Sequence, residues 1–301
     1  MTKYIIQKKQ KNNTKFKINN FFFDSARSGL KEILNSECCK NKTILLPAYI
    51  GYSTKEGSGI FDPIKETETP YIFYNLTSKM EIDCENFKKQ VDRNKNGILL
   101  FVHYFGFKDN NFDILKKYAI EKGFIIIEDC AHALYSFYKR PDYSSDFILF
   151  SLHKMLPLKN GGLVISQKHK LSTIKREKNR LLTYDFEGIS NRRRENYIYL
   201  ENKIKKVKND DIKLLYRSLG NNIPQTLPVI ISSLSLRDYL YFELNKRNIG
   251  VVSLYHQLIE PLSLFSNEIE ISNHILNLPI HQDIGENEID YYFNVMINLL
   301  K

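Results

Sequence analysis

Apolar residues along the first half of the chain fall in short unbroken runs, each ending at a turn residue or a polar side chain. Thr43–Leu46, Tyr71–Tyr74, Gly97–His103, Phe124–Asp129, Phe147–Phe150 and Leu163–Ile165 are of this kind. Runs this short, without polar alternation, predict strands buried on both faces. Between them, Cys84–Val91 and Phe112–Lys122 carry apolar residues at helical spacing. The second places Phe112, Leu115, Tyr118 and Ala119 on one face and stops before Gly123. Further upstream, Asp24 or Ser25 is placed to cap a helix bearing Leu30, Ile33 and Leu34. Doubly buried strands separated by helices predict an α/β domain with a mostly parallel sheet.

The pattern changes in the second half. The stretch 166–215 is charged and mostly helical in tendency, including Asn196–Lys208. Past Gly220, short strands are predicted at Pro228–Ile231, Gly250–Val252 and Ile275–Ile280, with a helix at Leu236–Asn245. A final helix, Glu286–Leu300, aligns Ile289, Tyr292, Phe293, Met296 and Leu299. This alternation suits a small α+β domain packed on the first. A chain of 301 residues accommodates one large and one smaller domain, here expected at 1–215 (with a basic segment at 1–20) and 216–301.

Composition narrows the class. The apolar fraction of 43%, with 19 Tyr and 19 Phe, is ample for a core. No run reaches the length of a membrane span, and Met1–Asn20 has no apolar signal-peptide core. Cys38, Cys39, Cys84 and Cys130 lack metal-type spacing, and the first two are adjacent, which predicts a reduced, cytoplasmic protein. The net charge of +10 favours acidic partners, yet Lys and Arg are spread out, and Arg192–Arg194 is the one dense cluster. An anionic small substrate uses that charge as well as a nucleic acid would, so no nucleic-acid partner is expected.

In parallel sheets, functional groups gather at the carboxyl ends of strands. His103, Asp129 and Ser151 all fall there. A carboxylate at the end of a buried strand, such as Asp129, is costly unless it meets a cation or a strong donor; the alternative is a helix N-cap. His132 follows one helical turn later. Lys154 stands on a tight loop between two buried strands, where an ammonium loses solvation and its pKa falls. A free amine so placed can be a Schiff-base nucleophile or simply a loop lysine reaching water. Small residues at 25–29 leave backbone N–H groups at a helix start, which is also a phosphate site.

Together these segments resemble one family. Ser-Ala-Arg-Ser-Gly-Leu at 25–30, Pro-Ala-Tyr at 47–49, His-Tyr-Phe-Gly at 103–106, Glu-Asp-Cys-Ala-His-Ala at 128–133 and Ser-Leu-His-Lys…Asn-Gly-Gly at 151–162 are similar to motifs of the DegT/DnrJ/StrS-type sugar aminotransferases. Leu-Asn-Leu-Pro-Ile-His at 276–281 looks like that family's late strand. The resemblance implies a pyridoxal 5'-phosphate (PLP) enzyme of the aspartate-aminotransferase fold, with a seven-stranded sheet. It passes through pyridoxamine phosphate (PMP) and transfers an amine from an amino acid, expected to be glutamate, to a nucleotide-linked keto sugar. Carried over, Lys154 would be the catalytic lysine bound to the cofactor, Asp129 would pair with the pyridine nitrogen, and His132 would touch the ring hydroxyl. Ser25, Ala26 and Arg27 would cradle the phosphate, with Ser151 donating its hydroxyl, and Tyr49 would stack on the ring. A homodimer is implied as well.

The chain also departs from the pattern. Ser151 and Lys154 are only three positions apart, and the register of Gly161-Gly162 is what assigns the lysine. His153 stands beside it; if His153 faced the cofactor, a PLP/PMP-dependent sugar dehydratase would be expected instead. The family's Asn-x-Arg segment from the neighbouring subunit is missing, with Asn196-Tyr197 a weak substitute, so a non-catalytic family member is a third reading.

Overall fold

The computed structural model describes residues 19–172, 184–216 and 218–300, so the predicted basic segment lies outside it up to position 18. Its large sheet is built from β1 (Asn19–Phe23), β2 (Ile44–Pro47), β3 (Tyr71–Tyr74), β4 (Ile98–Val102), β5 (Ile125–Asp129), β6 (Phe147–Ser151) and β7 (Gly162–Ser166). The order is β1-β7-β6-β5-β4-β2-β3. The pairs β3/β2, β2/β4, β4/β5 and β5/β6 are parallel, whereas β7 runs antiparallel to both β6 and β1. The connection from β6 to β7, residues 152–161, is too short for a crossover to a parallel neighbour, which takes a dozen residues or more. Only a single helical turn fits in it.

The helices of this half are α1 (Ala26–Asn35), α2 (Phe61–Glu66), α3 (Cys84–Arg93), α4 (Phe112–Glu121), α5 (Leu134–Lys139) and α6 (Leu152–Met155). Side chains alternate across the strands, so each face of the sheet has its own core. Ile98, Leu100, Ile127, Leu149 and Val164 pack with Leu30 and Ile33 of α1 and Ile64 of α2. Leu99, Phe101 and Ile126 pack on the other face with Phe87 of α3 and Leu115 of α4. Most of the apolar runs are therefore buried strands, as their lack of alternation predicts; Tyr71–Tyr74 is not, because β3 lies at the sheet edge and leaves Tyr71 exposed. The strand β1 is the exception: Phe21–Phe23 read as a lead-in to α1 but form an edge strand paired to β7.

A long helix, α7 (Phe186–Lys206), leads to β8 (Ile212–Leu214), β9 (Thr226–Ile231), α8 (Leu234–Lys246), α9 (Ser266–His274), β10 (Ile275–Pro279) and α10 (Glu286–Leu299). The three strands form an antiparallel sheet in the order β10-β9-β8. Its first strand lies before position 216, so this sheet draws on residues upstream of the predicted boundary. The expected strand at 250–252 contributes one bridge, Val252 to Asn277. Leu227, Val229 and Leu278 of the small sheet share a core with Leu99 and Phe101 of the large one. The chain is thus a mixed α/β fold with a seven-stranded, mostly parallel sheet and a smaller C-terminal unit. Among the described residues, no helix is long and apolar enough to cross a membrane.

Candidate active site

Lys154 is aimed by the β6–β7 connection. Ser151 ends β6 opposite Gly162, and the Leu152 N–H donates to the Gly161 carbonyl at 2.9 Å. Gly161 holds φ +138, a backbone region that favours glycine. The single turn of α6 between them carries Lys154 inward, where its Nζ lies 3.1 Å from His132 Nε2. Burial pulls the Lys154 pKa down; the carboxylates of Asp129 and Glu56 push partly the other way. Partial desolvation, then the charge of Lys154, lowers the pKa of His153, whose Nδ1 lies 3.4 Å from the Ser151 hydroxyl. Both residues line the same cavity, but the contact with His132 belongs to Lys154.

Asp129 ends β5, buried at 6% exposure, with Oδ1 accepting the Ala131 N–H at 2.8 Å. Burial raises its pKa, while that backbone N–H and Lys154 lower it. His132 is buried, and burial pushes its pKa well below the ordinary histidine value; its Nδ1 accepts the Phe105 N–H at 3.3 Å.

The start of α1 faces these groups. Ser25 is its N-cap, with Oγ accepting the Ser28 N–H at 3.1 Å. A helix's first-turn N–H groups have no intrahelical partner, and the dipole makes the end attractive to an anion. Close packing holds it there: a Cβ on Gly162 would come within 2.3 Å of the Ser25 carbonyl and 2.6 Å of the Ala26 nitrogen. From α1, the Arg27 guanidinium donates to the Glu56 carbonyl at 2.5 Å and lies 3.7 Å from Asp62.

Ser25, Ala26, Arg27, Asp129, His132, Ser151 and Lys154 all line one cavity of about 620 Å³. Its other walls are the segment 50–60 and, from the C-terminal unit, Tyr241 and Ser253–Tyr255. Tyr49 takes a different place from the one the resemblance implies. Its ring is fully buried behind the cavity wall, and its hydroxyl accepts the Tyr255 N–H at 2.9 Å and donates to the Tyr255 carbonyl at 3.2 Å. The aromatic side chains that do line the cavity are Tyr52, Tyr241 and Tyr255, with the imidazoles of His103, His132 and His153.

Two of the three clustered arginines bind backbone within the fold. Arg193 is buried, donating to Gln282 at 3.0 Å and to the Gln225 carbonyl at 3.0 Å, and Arg194 binds the Asn222 and Gly220 carbonyls. Asn196 is buried too, its amide bound to the carbonyls of Ile280, His281 and Ile284. Both tie α7 to the C-terminal unit, so neither is free to meet a phosphate. Sequence reasoning overlooked Glu56, and it saw His103 without its partner. His103 Nε2 lies 3.2 Å from buried Glu128, which also accepts from Lys116 and Ser145. Burial alone would raise the Glu128 carboxyl; these partners overcome it and hold the pKa low. The available signal was a glutamate inside the otherwise apolar run Ile-Ile-Ile-Glu-Asp.

The donor set fits PLP: a buried carboxylate for a ring nitrogen, a buried amine for an aldehyde and a helix start for a phosphate, all on one cavity. Solved structures share the architecture. Spr1654 of Streptococcus pneumoniae, assigned as a sugar aminotransferase and solved in its PLP form, superposes with a TM-score of 0.74 at 14% identity, covering 93% of this chain and 86% of its own. PseC of Helicobacter pylori, an aminotransferase involved in pseudoaminic acid biosynthesis, gives 0.72 at 15% identity over 93% and 86%. DesV of S. venezuelae gives 0.72 at 15% over 94% and 85%. A search of curated proteins by sequence finds no match.

These solved structures show the fold of this chain. Residues 69–184, which include Asp129, His132 and Lys154, match the model of the DegT/DnrJ/EryC1/StrS aminotransferase family, the one the motifs resemble.

Proposed function

We propose that this protein transfers an amino group from an amino acid, glutamate in our reading, to a nucleotide-linked keto sugar, for cell-surface polysaccharide or related amino-sugar biosynthesis. The observation that carries the proposal is the meeting of Lys154, His132 and Asp129 on one cavity facing the start of α1. When bound, PLP supplies an aldehyde that condenses with amines and a ring that withdraws electrons from the adjacent carbon. Lys154, its pKa lowered by burial, would provide the amine that holds the cofactor, and its free Nζ would be the base placed to take a proton from the donor's α-carbon. The Asp129 carboxylate keeps a proton on the ring nitrogen, and the cation it gains there offsets its burial. Ser25, Ala26 and the Ser151 hydroxyl hold the phosphate, and Arg27 adds charge at its edge.

An anionic sugar substrate suits the net charge of +10 and the Arg27 and Lys55 side chains on the cavity wall. The sugar aminotransferase neighbours support the same substrate class. A homodimer in a reducing cytoplasm, in keeping with four free thiols, completes the reading. The test is borohydride reduction of the PLP-loaded protein followed by peptide mapping. Label on Lys154, and none after Lys154→Ala, is the expected outcome; label on another residue, or loaded protein that borohydride leaves unlabelled, overturns the assignment.

A further inference from the structure

We infer that His132 is a tautomer-locked donor that holds Lys154 as a free amine before any cofactor arrives. The Phe105 N–H donates to His132 Nδ1 at 3.3 Å. That bond commits the Nδ1 lone pair, so a neutral imidazole carries its proton on Nε2. Nε2 is 3.1 Å from Lys154 Nζ. An N–H directed at that nitrogen needs a lone pair to point to. An amine has one; an ammonium has none. The pair of contacts is therefore self-consistent only when both side chains are neutral, and burial lowers the pKa of each in agreement.

The donor's aim is built into the backbone. Phe105 adopts φ 56, ψ 10, a left-handed conformation that costs a residue with a side chain backbone energy. Two further bonds keep it there. The Gln225 N–H donates to the Phe105 carbonyl at 2.7 Å, and the Ser136 hydroxyl donates to the Gly106 carbonyl at 3.2 Å. Gly106 has φ +93, and a Cβ there would come 2.7 Å from the His132 carbonyl, so the turn sits directly on the backbone of His132. A strained turn pressed against the histidine it addresses is what a fixed tautomer requires.

Several groups act on Lys154 from other elements. Asp129 at the end of β5 and Glu56 on the 53–57 turn favour the ammonium; His153 on α6 is its cationic-capable neighbour. Burial and the His132 donor act the other way. His132 is thus a positioning residue, and this role precedes the ring-hydroxyl contact implied by the family resemblance. Its value for cofactor capture rests on the proposed function, but the test does not, since it uses cofactor-free protein.

Two measurements on the unmodified sequence decide the matter. Histidine-selective 15N NMR, with His132 assigned by its absence in His132→Gln, reads the tautomer: a proton on Nε2 alone supports the proposal, and a proton on Nδ1 or on both nitrogens overturns it. Reductive methylation of each lysine against pH, followed by mass spectrometry, reads Lys154 directly. A midpoint below that of the exposed lysines supports the proposal; co-titration with them overturns it. This second readout stands even where the variant does not fold. Where variants fold, His132→Gln, whose amide can still donate, keeps the low midpoint. His132→Glu, which accepts instead, lowers Lys154 labelling near neutral pH by about tenfold or more. Unchanged labelling in His132→Glu also overturns the assignment. PLP binding plays no part in either readout, so a failure here leaves the borohydride result on Lys154 to be judged separately.

Discussion

At the residue scale, the site holds a conflict that only a ligand resolves. Asp129 is buried with a raised pKa, so the folded protein binds its proton more tightly than the unfolded chain does. The sign follows: its contribution to stability is fully present below the ordinary carboxylate range and is lost as pH rises through the raised folded value. Above that folded value the cofactor-free protein carries a buried carboxylate whose nearest partner is the Ala131 N–H. Asp129→Asn keeps an acceptor for the Ala131 N–H without the charge. This variant is expected to be more stable than the parent by about 1 kcal/mol near neutral pH, the gain shrinking as pH falls. It should also bind PLP more weakly. Thermal melts of cofactor-free protein across pH, with and without added PLP, check both halves; a variant less stable at neutral pH refutes the argument. Asp129, His132 and Lys154 were legible in the sequence because each lies at a strand end or within one turn of it. Tyr49 was not, since its hydroxyl partner, Tyr255, is 206 positions away and no local pattern announces it.

At the element scale, the candidate phosphate site depends on how closely α1 approaches β7. Gly29 faces Val164 with room for a Cβ only 2.9 Å away, and Gly162 sits still closer to Ser25 and Ala26. These glycines act through absent side chains. Their φ values are not in the left-handed region, so sequence motifs mark them while local conformation does not explain them. Gly162→Ala must push the start of α1 off the strand, because the obstructing atoms are backbone. The expected cost is about 1–3 kcal/mol in urea unfolding, as for an overpacked core. PLP affinity should fall about tenfold or more by calorimetry as the helix start is displaced. Wild-type affinity in a folded Gly162→Ala protein would show that α1 does not hold the phosphate. The same scale explains why the roles of 192–196 were not legible: Arg193 and Asn196 are buried because their carbonyl partners arrive from loops many residues later.

At the scale of the whole molecule, the cavity exists only because two units meet. The large sheet supplies its floor, and Tyr241 with Ser253–Tyr255 supplies a wall. The large unit was legible, since doubly buried strands leave a strong signal; the smaller one was less so, its sheet being short and one expected strand reduced to a bridge. Beside the backbone bridge of Gly51 to Leu258, what joins them at the site is Tyr49. Its phenol, pushed up in pKa by burial and so kept protonated, both accepts from and donates to the Tyr255 backbone, and the Tyr104 hydroxyl donates to the Tyr49 carbonyl at 2.5 Å. Tyr49→Phe keeps the ring and its packing but leaves the Tyr255 N–H without its acceptor, while the Tyr255 carbonyl keeps the Ser272 hydroxyl at 2.9 Å. An unsatisfied buried donor of this kind costs about 1–3 kcal/mol, which urea unfolding will read. Because Tyr255 also walls the cavity, the same variant is expected to weaken PLP binding several-fold while leaving Lys154 the residue that borohydride labels. If stability fell with PLP affinity unchanged, Tyr49 would be a packing residue only, and the wall from the C-terminal unit would be held by other contacts.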